Sequence, residues 1–206
     1  NQELGVKRNW AGGAWNTALS VYRILRENEL TADPVHSTPS DSYSIILGQQ
    51  VTRGIEFDLR GRLAPGLSLI ANYAYTNAEV TEVAEGVTDY EPGDDLLGYV
   101  ANTANAWLTY QLPRGPLKHL GASAGFTWLW DRKTSAYGGE GGHDLPDYFR
   151  LDAGLFWENQ RLRITANVFN VLDAYLFSGS YYPFNTAYYW QSEPPRNARL
   201  SIAYKF

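Results

Sequence analysis

The chain has 206 residues, of which 44% are hydrophobic and 19% charged, and this composition excludes a disordered protein. The formal net charge is −5 and the Lys and Arg residues are scattered, so binding to nucleic acid is not expected. Cys is absent, which excludes disulfides and thiolate metal sites, and no apolar run approaches the roughly 18 residues of a transmembrane helix.

Apolar and polar residues alternate with a period of two along most of the chain, which is typical of β-strands with one apolar face. For example, Ile55, Phe57 and Leu59 alternate with Glu56 and Asp58. The pattern predicts about nine strands, near residues 2–11, 14–31, 43–63, 67–83, 99–112, 119–134, 147–158, 161–172 and 197–206. The predicted fold class is therefore all-β.

Alternation alone fits two folds, because the apolar face points inward in a soluble sandwich and toward lipid in a membrane barrel. Charged residues occupy the polar face along whole strands, as at Glu56, Asp58, Arg60 and Arg62. Aromatic residues are 15% of the chain and gather toward strand ends, as they do in the aromatic girdles of a membrane barrel. We therefore expect the Leu, Ile, Tyr and Trp rows to face lipid; a soluble β-protein is the alternative.

The predicted connections alternate between short and long, a habit of outer-membrane barrels with short periplasmic turns and longer external loops. The short connections span 11–13, 64–66, 113–118 and 158–160, and the long ones span 32–42, 84–98, 135–146 and 173–196. On this pattern the last strand descends and Phe206 ends at the periplasmic side. Closed single-chain barrels usually have an even number of strands, so nine strands indicate a partial barrel; a complete barrel of eight or ten strands is the alternative.

Several local motifs resemble the C-terminal third of TonB-dependent siderophore receptors, and together they cover nearly the full chain. They are Glu3-Leu4-Gly5-Val6-Lys7, Arg53-Gly54-Ile55-Glu56, Asn72-Tyr73-Ala74-Tyr75-Thr76, Asn167-Val168-Phe169-Asn170-Val171-Leu172-Asp173, and Pro195-Arg196 with Tyr204-Lys205-Phe206. Pro92-Gly93 and Asn102-Thr103-Ala104-Asn105 resemble a further family region less closely.

The resemblance implies that residues 1–206 are the C-terminal part of an antiparallel transmembrane β-barrel. Barrels of this kind have 22 strands and a plugged lumen, and the plug domain and the TonB-contacting segment are not in this chain. The implied function is TonB-dependent uptake of ferric siderophores across the bacterial outer membrane. The alternatives are receptors for cobalamin, haem or a glycan, and a passive porin.

The resemblance also implies the partners of the chain. They are outer-membrane lipid, the ferric siderophore as cargo, the TonB complex through the missing N-terminal part, and the barrel-assembly machinery. Tyr204 and Phe206 belong to the aromatic C-terminal signal that this machinery recognises. No resident cofactor and no metal site are expected.

Rings are dense in the last long connection, and aromatic rings together with Arg suit flat iron-chelate complexes. We therefore predict a ligand-binding group; anchoring in the outer leaflet is the alternative. Its members are Tyr181, Tyr182, Tyr188, Tyr189 and Trp190, with Phe184 nearby.

Two motifs have a structural interpretation that we prefer. In Arg53-Gly54-Ile55-Glu56, the Gly relieves crowding while Arg and Glu face a wet lumen; contact with the plug is the alternative. Asn167, Asn170 and Asp173 lie near the external rim, where their side chains can close a turn; a ligand role is the alternative.

Acidic residues crowd the connection at 84–98, namely Glu85, Asp89, Glu91, Asp94 and Asp95. Their spacing matches no EF-hand loop, so we interpret the connection as a solvated acidic loop. The histidines His36, His119 and His143 are scattered. A pair of His143 and Asp144 could suggest a hydrolase, but no Gly-x-Ser-x-Gly elbow accompanies it, so catalytic residues are not expected.

Overall fold

The computed structural model describes residues 1–33, 35–38, 40–87, 90–96, 98–133, 145–181 and 189–206, without the side chains of residues 31, 32, 180 and 181. Its strands, in chain order, are β1 (Gln2–Trp10), β2 (Trp15–Glu27), β3 (Leu30–Ala32), β4 (Ser44–Ile46), β5 (Gly48–Ala64), β6 (Leu67–Val83), β7 (Val100–Gln111), β8 (Leu120–Arg132), β9 (Tyr148–Glu158), β10 (Leu162–Phe169), β11 (Phe177–Tyr181), β12 (Tyr189–Ser192) and β13 (Asn197–Tyr204). A single 3-10 turn covers Ala11–Gly13.

Nine strands form one antiparallel sheet, in the order β1-β2-β5-β6-β7-β8-β9-β10-β13. They correspond one to one with the nine predicted strands, so the predicted all-β fold is confirmed. Within the described residues, β1 pairs only with β2 and β13 only with β10, and the sheet is therefore open at both edges. Every connection joins neighbours in this sheet, which makes it a simple meander.

Two small hairpins, β3–β4 and β11–β12, lie outside the large sheet. The predicted strands at 14–31 and 43–63 were too long, because the chain leaves the sheet at Asn28 (φ 59°) and Gly48 (φ 125°). A positive φ turns the backbone away from the extended path of a strand. The second hairpin falls inside the connection that was predicted to be a loop at 173–196.

The connections are sorted by length, as predicted. Short turns join the strands at one end of the sheet, between β1 and β2, β5 and β6, β7 and β8, and β9 and β10. The long connections all lie at the opposite end, which we call the long-connection end. Outer-membrane barrels place their longer loops outside the cell, so this end corresponds to the external end of such barrels.

The two faces of the sheet differ in chemistry. On one face the register aligns Leu19 with Phe57 and Val21 with Ile55; on the other it aligns Ser20 with Glu56. The apolar rows do not pack together in a dry centre, because their members remain largely exposed, as in Leu4 76%, Leu155 61%, Leu200 69% and Ile202 68%. This is the arrangement of a barrel wall, whose apolar face meets lipid and whose polar face lines a lumen.

Arg53 corrects one prediction, since it was expected to face the lumen together with Glu56. Residues three apart in a strand point to opposite faces, and Arg53 shares the apolar face with Ile55. Its Nη1 atom lies 3.2 Å from Oε1 of Glu79 on the neighbouring strand β6. Glu56 alone of this motif's charged pair faces the lumen.

Rings on the apolar face, which points outward, form two groups near the strand ends. At the short-turn end they are Trp10, Trp15, Tyr110, Trp157 and Tyr204, and at the long-connection end they are Tyr73, Tyr75, Trp128, Trp130 and Phe149. On β9, Phe149 and Trp157 are eight residues apart, which is roughly 26 Å along the strand. With strands tilted by about 40°, this spacing covers roughly 20 Å of height, which is most of the apolar band of a membrane barrel, about 25 Å tall.

Glycines inside the sheet lie directly opposite large aromatic residues. The cross-strand pairs are Trp15 with Gly61, Tyr22 with Gly54, Trp107 with Gly125, and Phe156 with Gly121. A Cβ atom built on any of these glycines would fall within the ring of its partner. Each ring therefore covers the glycine backbone, a packing device that fixes register between strands.

Among the described residues, no helix has the length and apolar character required to cross a membrane.

We predict that Gly125→Val destabilises the barrel, even though Val favours strands in general. The new side chain must displace the Trp107 indole, and overpacking of this kind costs about 1–3 kcal/mol. Thermal unfolding of the protein in detergent measures the effect. Combining Gly125→Val with Trp107→Ala should restore only part of the lost stability, because the new Cβ would also lie 2.5 Å from the Ala106 carbonyl oxygen.

Gly179→Val on β11 is the matched control, because open space surrounds the position where its Cβ would lie. An equal loss of stability in both single variants would contradict the packing role of Gly125.

Candidate functional site

The buried side chains of the described residues are concentrated at the long-connection end. All but one of the buried hydrophobic residues lie there: Leu47, Val51, Ala78, Val80, Ala101, Leu145, Tyr148 and Leu176. The exception is Phe156, whose ring covers Gly121. The described parts of the long connections are therefore packed onto the strand ends.

The acidic connection after β6 folds back onto that strand. The Val80 N–H donates to the Asp94 carbonyl at 2.9 Å, the Gly93 N–H to the Val80 carbonyl at 2.8 Å, and the Leu96 N–H to the Ala78 carbonyl at 2.8 Å. β7 pairs with β6 only as far as Tyr75. These hydrogen bonds therefore provide partners for backbone groups in the part of β6 that extends beyond β7.

Lys133 ties this connection to the end of β8. Its Nζ lies 3.2 Å from Asp95 and 3.1 Å from Asp131, and hydrogen bonds to these carboxylates raise the pKa of Lys133. Burial raises the pKa of the adjacent Tyr99 hydroxyl, which donates to Asp95 at 3.4 Å. No group of carboxylates or histidines within the described part of the chain could hold a metal ion; Asp89 of the predicted acidic loop lies outside that part.

Arg132 joins two connections from a buried position, with only 2% of its surface exposed. Its Nη1 donates to the Pro146 carbonyl and its Nη2 to the Ser178 carbonyl, both at 3.1 Å. Pro146 precedes β9 and Ser178 belongs to β11. A guanidinium group presents several donors in a rigid fork, so one side chain holds both segments in place.

Asn170 and Asp173 close the turn after β10, which confirms the structural interpretation of these two residues. The Asn170 side chain donates to the Ala174 carbonyl at 2.9 Å and accepts from the Ala174 N–H at 3.0 Å. Asp173 accepts from the Arg196 N–H at 2.8 Å. Both residues have positive φ, 52° and 54°, a conformation that Asn and Asp tolerate. Asn167 lies on the polar face, opposite Gly154.

Exposed rings gather on the hairpin β11–β12 and the residues before it. Trp190, 40% exposed, meets Phe177 edge to face at 4.8 Å between ring centroids. Phe177 in turn lies 5.8 Å from Tyr175, which is 87% exposed. Tyr189 follows at the start of β12 and is 55% exposed. We call Tyr175, Phe177, Tyr189 and Trp190 the aromatic surface.

This surface contains two of the five predicted ligand-binding residues, Tyr189 and Trp190. The backbone of Tyr181 pairs with Tyr189, while Tyr182 and Tyr188 lie outside the described residues, as does Phe184. Sequence reasoning missed Tyr175 and Phe177. Their spacing of two residues, directly before the ring-rich segment, was the signal that could have found them.

An ion-pair network anchors the segment that leads from β12 back to the large sheet. The Arg150 Nε lies 3.1 Å from Asp152, and its Nη1 lies 3.4 Å from Glu193, directly after β12. The same Nη1 donates to the Tyr148 hydroxyl at 3.1 Å. Charge-assisted bonds to a guanidinium are directional, so the base of the aromatic surface is held against β9.

Charges on the polar face are left without ion-pair partners among the described residues. They include Glu3, Lys7, Glu56, Asp58 and Arg60. Lys7, Asp58 and Arg60 line one shared concavity of the wall. These groups are free to bind an occupant of the lumen.

The histidines take part in local contacts. The ring nitrogen Nδ1 of His36 lies 2.7 Å from Asp33, and this hydrogen bond lowers the pKa of the Asp33 carboxyl. The Nδ1 of His119 lies 2.7 Å from the Glu158 carbonyl. His143 and Asp144, the pair considered for a hydrolase, lie outside the described residues.

The predicted assembly signal lies on the edge strand β13 and just beyond it. Tyr204 is 55% exposed and Phe206 fully exposed, and their rings meet edge to face at 5.3 Å. Both side chains are accessible to a partner.

Comparisons with known proteins give one family. The family model for "TonB dependent receptor-like, beta-barrel" matches residues 1–171. The ferric-pyoverdine 358 receptor of Pseudomonas putida is 28% identical, over 100% of this chain and 24% of its own length. The metal-pseudopaline receptor CntO of Pseudomonas aeruginosa is 27% identical, over 99% of this chain and 27% of its own.

Among solved structures, the siderophore receptor PiuA from Acinetobacter baumannii matches with a TM-score of 0.78 and 21% identity, over 99% of this chain and 28% of its own. That likeness shows the shared fold. The chain spans about a quarter of the length of the curated relatives that it matches.

We predict that Asn170→Ala loosens the long-connection end, because the buried amide of Asn170 makes two hydrogen bonds that Ala cannot replace. Loss of a buried polar group that pairs with backbone costs about 1–3 kcal/mol. Hydrogen exchange in residues 170–176 of the complete receptor should accelerate. Asn167→Ala is the control, and equal acceleration in both variants would contradict the role of Asn170 in this turn.

Proposed function

The chain belongs to the TonB-dependent receptor β-barrel family, and from this premise we propose that it serves a receptor that takes up ferric siderophores. It lies in the bacterial outer membrane, where its apolar face meets lipid. Residues 1–206 form one unit of barrel wall, and the receptor's plug domain and TonB-contacting segment lie elsewhere in the protein. Energy for uptake arrives from the inner membrane through TonB.

The observation that carries the proposal is the aromatic surface at the external end. Its exposed rings stand on a rim held by Arg132, Arg150 and Asn170, so the surface is rigid before a ligand arrives. Flat aromatic faces suit an iron chelate, which presents planar conjugated groups. We also propose Tyr181, Tyr182 and Tyr188 as ligand contacts, on the basis of the sequence pattern alone. The relatives are named as receptors for ferric pyoverdine and for metal-pseudopaline, which supports a metal chelate as the ligand.

The unpaired luminal charges support a plug in the lumen. Charged side chains that face an aqueous lumen without partners can pair with an incoming segment of opposite charge. Glu56 and Asp58 offer two neighbouring carboxylates on β5, and Arg60 follows on the same face toward the short turns. A plug that presents a basic residue to Glu56 would pair with it.

Uptake of this kind requires no covalent step, so we propose a receptor without catalytic residues, resident cofactor or structural metal. The iron is cargo, and selection rests on the shape and polar contacts of the binding surface. Tyr204 and Phe206 form the signal read by the barrel-assembly machinery, which the exposure of both rings supports.

We predict that Trp190→Ala, in the complete receptor, weakens binding of the ferric siderophore by about three- to tenfold, because an aromatic contact contributes roughly 0.5–1.5 kcal/mol. Cells that express the receptor are offered iron-55 complexes of a pyoverdine and of pseudopaline, with haem and cobalamin as competitors. Binding is measured without TonB, and uptake with it.

Tyr43→Ala is the matched control, since Tyr43 is 54% exposed in a different long connection. Uptake that continues without TonB would indicate a passive porin instead. Competition by haem or cobalamin alone would assign another class of cargo. Equal binding by the Trp190→Ala variant and the parent would remove the aromatic surface from the site.

A further inference from the structure

Two arginines face each other on the outward side of the sheet. Arg23 on β2 is the direct cross-strand partner of Arg53 on β5. They lie on the face of Val21 and Ile55, which are the next pair toward the short turns. Leu19, Val21, Ile55 and Phe57 form a column of apolar side chains on these two strands, which we call the apolar column. The two guanidinium groups lie at its external end.

The height of this pair follows from the strands themselves. Arg23 is eight residues from Trp15, just as Phe149 is eight residues from Trp157 on β9. Arg23 therefore stands where β9 carries its outer aromatic ring, roughly 26 Å along the strand from the inner ring. Because strands in such barrels tilt by about 40°, this corresponds to a height of roughly 20 Å above the inner ring, just below the external edge of an apolar band about 25 Å tall. The long side chain of Arg reaches across the remaining distance to the level of the lipid phosphates.

Charge at this boundary is only partly compensated, because two arginines face one nearby carboxylate. Like charges directly opposite each other in a sheet are destabilising. Glu79 lies 3.2 Å from Arg53 and neutralises that one group. Arg23 has no hydrogen-bond or ion-pair partner among the described residues, and its neighbour on the other side is Gln2 of β1. An anion between the two guanidinium groups would relieve their repulsion.

We propose that Arg23 and Arg53 bind a phosphate group of an anionic lipid in the external leaflet. Arginine binds phosphate through two parallel hydrogen bonds, and two opposed arginines can hold one phosphate from both sides. The acyl chains of that lipid run along the apolar column below, over Val21, Ile55, Leu19 and Phe57. The site lies on the outside of the wall, separate from the aromatic surface and from the lumen.

The test uses the complete receptor, stripped of lipid in detergent and incubated with diphosphorylated lipid A. Native mass spectrometry measures the lipid retained. The double variant Arg23→Gln with Arg53→Gln should bind at least tenfold more weakly than the parent. Arg163→Gln, which removes a charge from the luminal face, should bind like the parent. Dephosphorylated lipid A should bind the parent about as weakly as lipid A binds the double variant.

Three results would overturn the proposal: equal retention by the double variant and the parent, an equal loss in Arg163→Gln, or displacement of lipid A by an equal concentration of inorganic phosphate. The last result would assign a site for free anions.

A second measurement separates lipid binding from a structural role. Without lipid, Arg23→Gln should melt no lower than the parent, because Arg23 has no partner among the residues that the structure describes. With lipid A, only the parent should gain thermal stability. A lower melting temperature of Arg23→Gln without lipid would make Arg23 a structural residue. Siderophore uptake is a separate readout, so loss of the lipid site leaves the proposed function standing.

Discussion

The pairing of every backbone N–H and C=O within the membrane is the constraint on which this structure depends. Lipid offers no hydrogen-bonding partner, so each strand must be paired along its membrane-spanning length. A meander meets this demand with the shortest possible turns. Because side chains alternate across a paired strand, one face is then free to be apolar and the other to be charged. The open edges at β1 and β13 mark where the same demand applies to strands beyond this sheet.

A barrel wall that is one sheet thick has little interior, so few side chains can be buried within it. Within the wall, rings such as Trp107 and Phe156 lie across glycines of the neighbouring strand and so mark the register. The remaining buried side chains lie at the long-connection end, around Val51 and Val80. That end therefore acts as the small core of the chain, and the described parts of the long connections belong to it.

The aromatic surface gains its rigidity from this packing. Arg132 and Arg150 reach it from adjacent strands, and the Asn170 turn controls the direction in which the chain leaves β10. A receptor benefits from such support, because a surface ordered in advance loses less entropy on binding. The outward arginine pair at Arg23 and Arg53 lies on the other side of the same rim, where the wall meets the external leaflet.

Period-two alternation determined the nine strands, their apolar and polar faces and the sorting of short and long connections, because these depend only on neighbours along the chain. The strand ends could not be derived from the sequence. The chain leaves the sheet at Asn28 and Gly48 because both have positive φ angles, which the periodicity does not reveal. The motifs and the ring-rich segment located Asn170, Tyr189 and Trp190. Register, by contrast, was set only by tertiary structure: which glycine lies under which ring, that Arg53 points outward, and that Arg23 faces it. Pairing between distant strands decides these neighbours, because a shift of one residue exchanges the two faces of a strand.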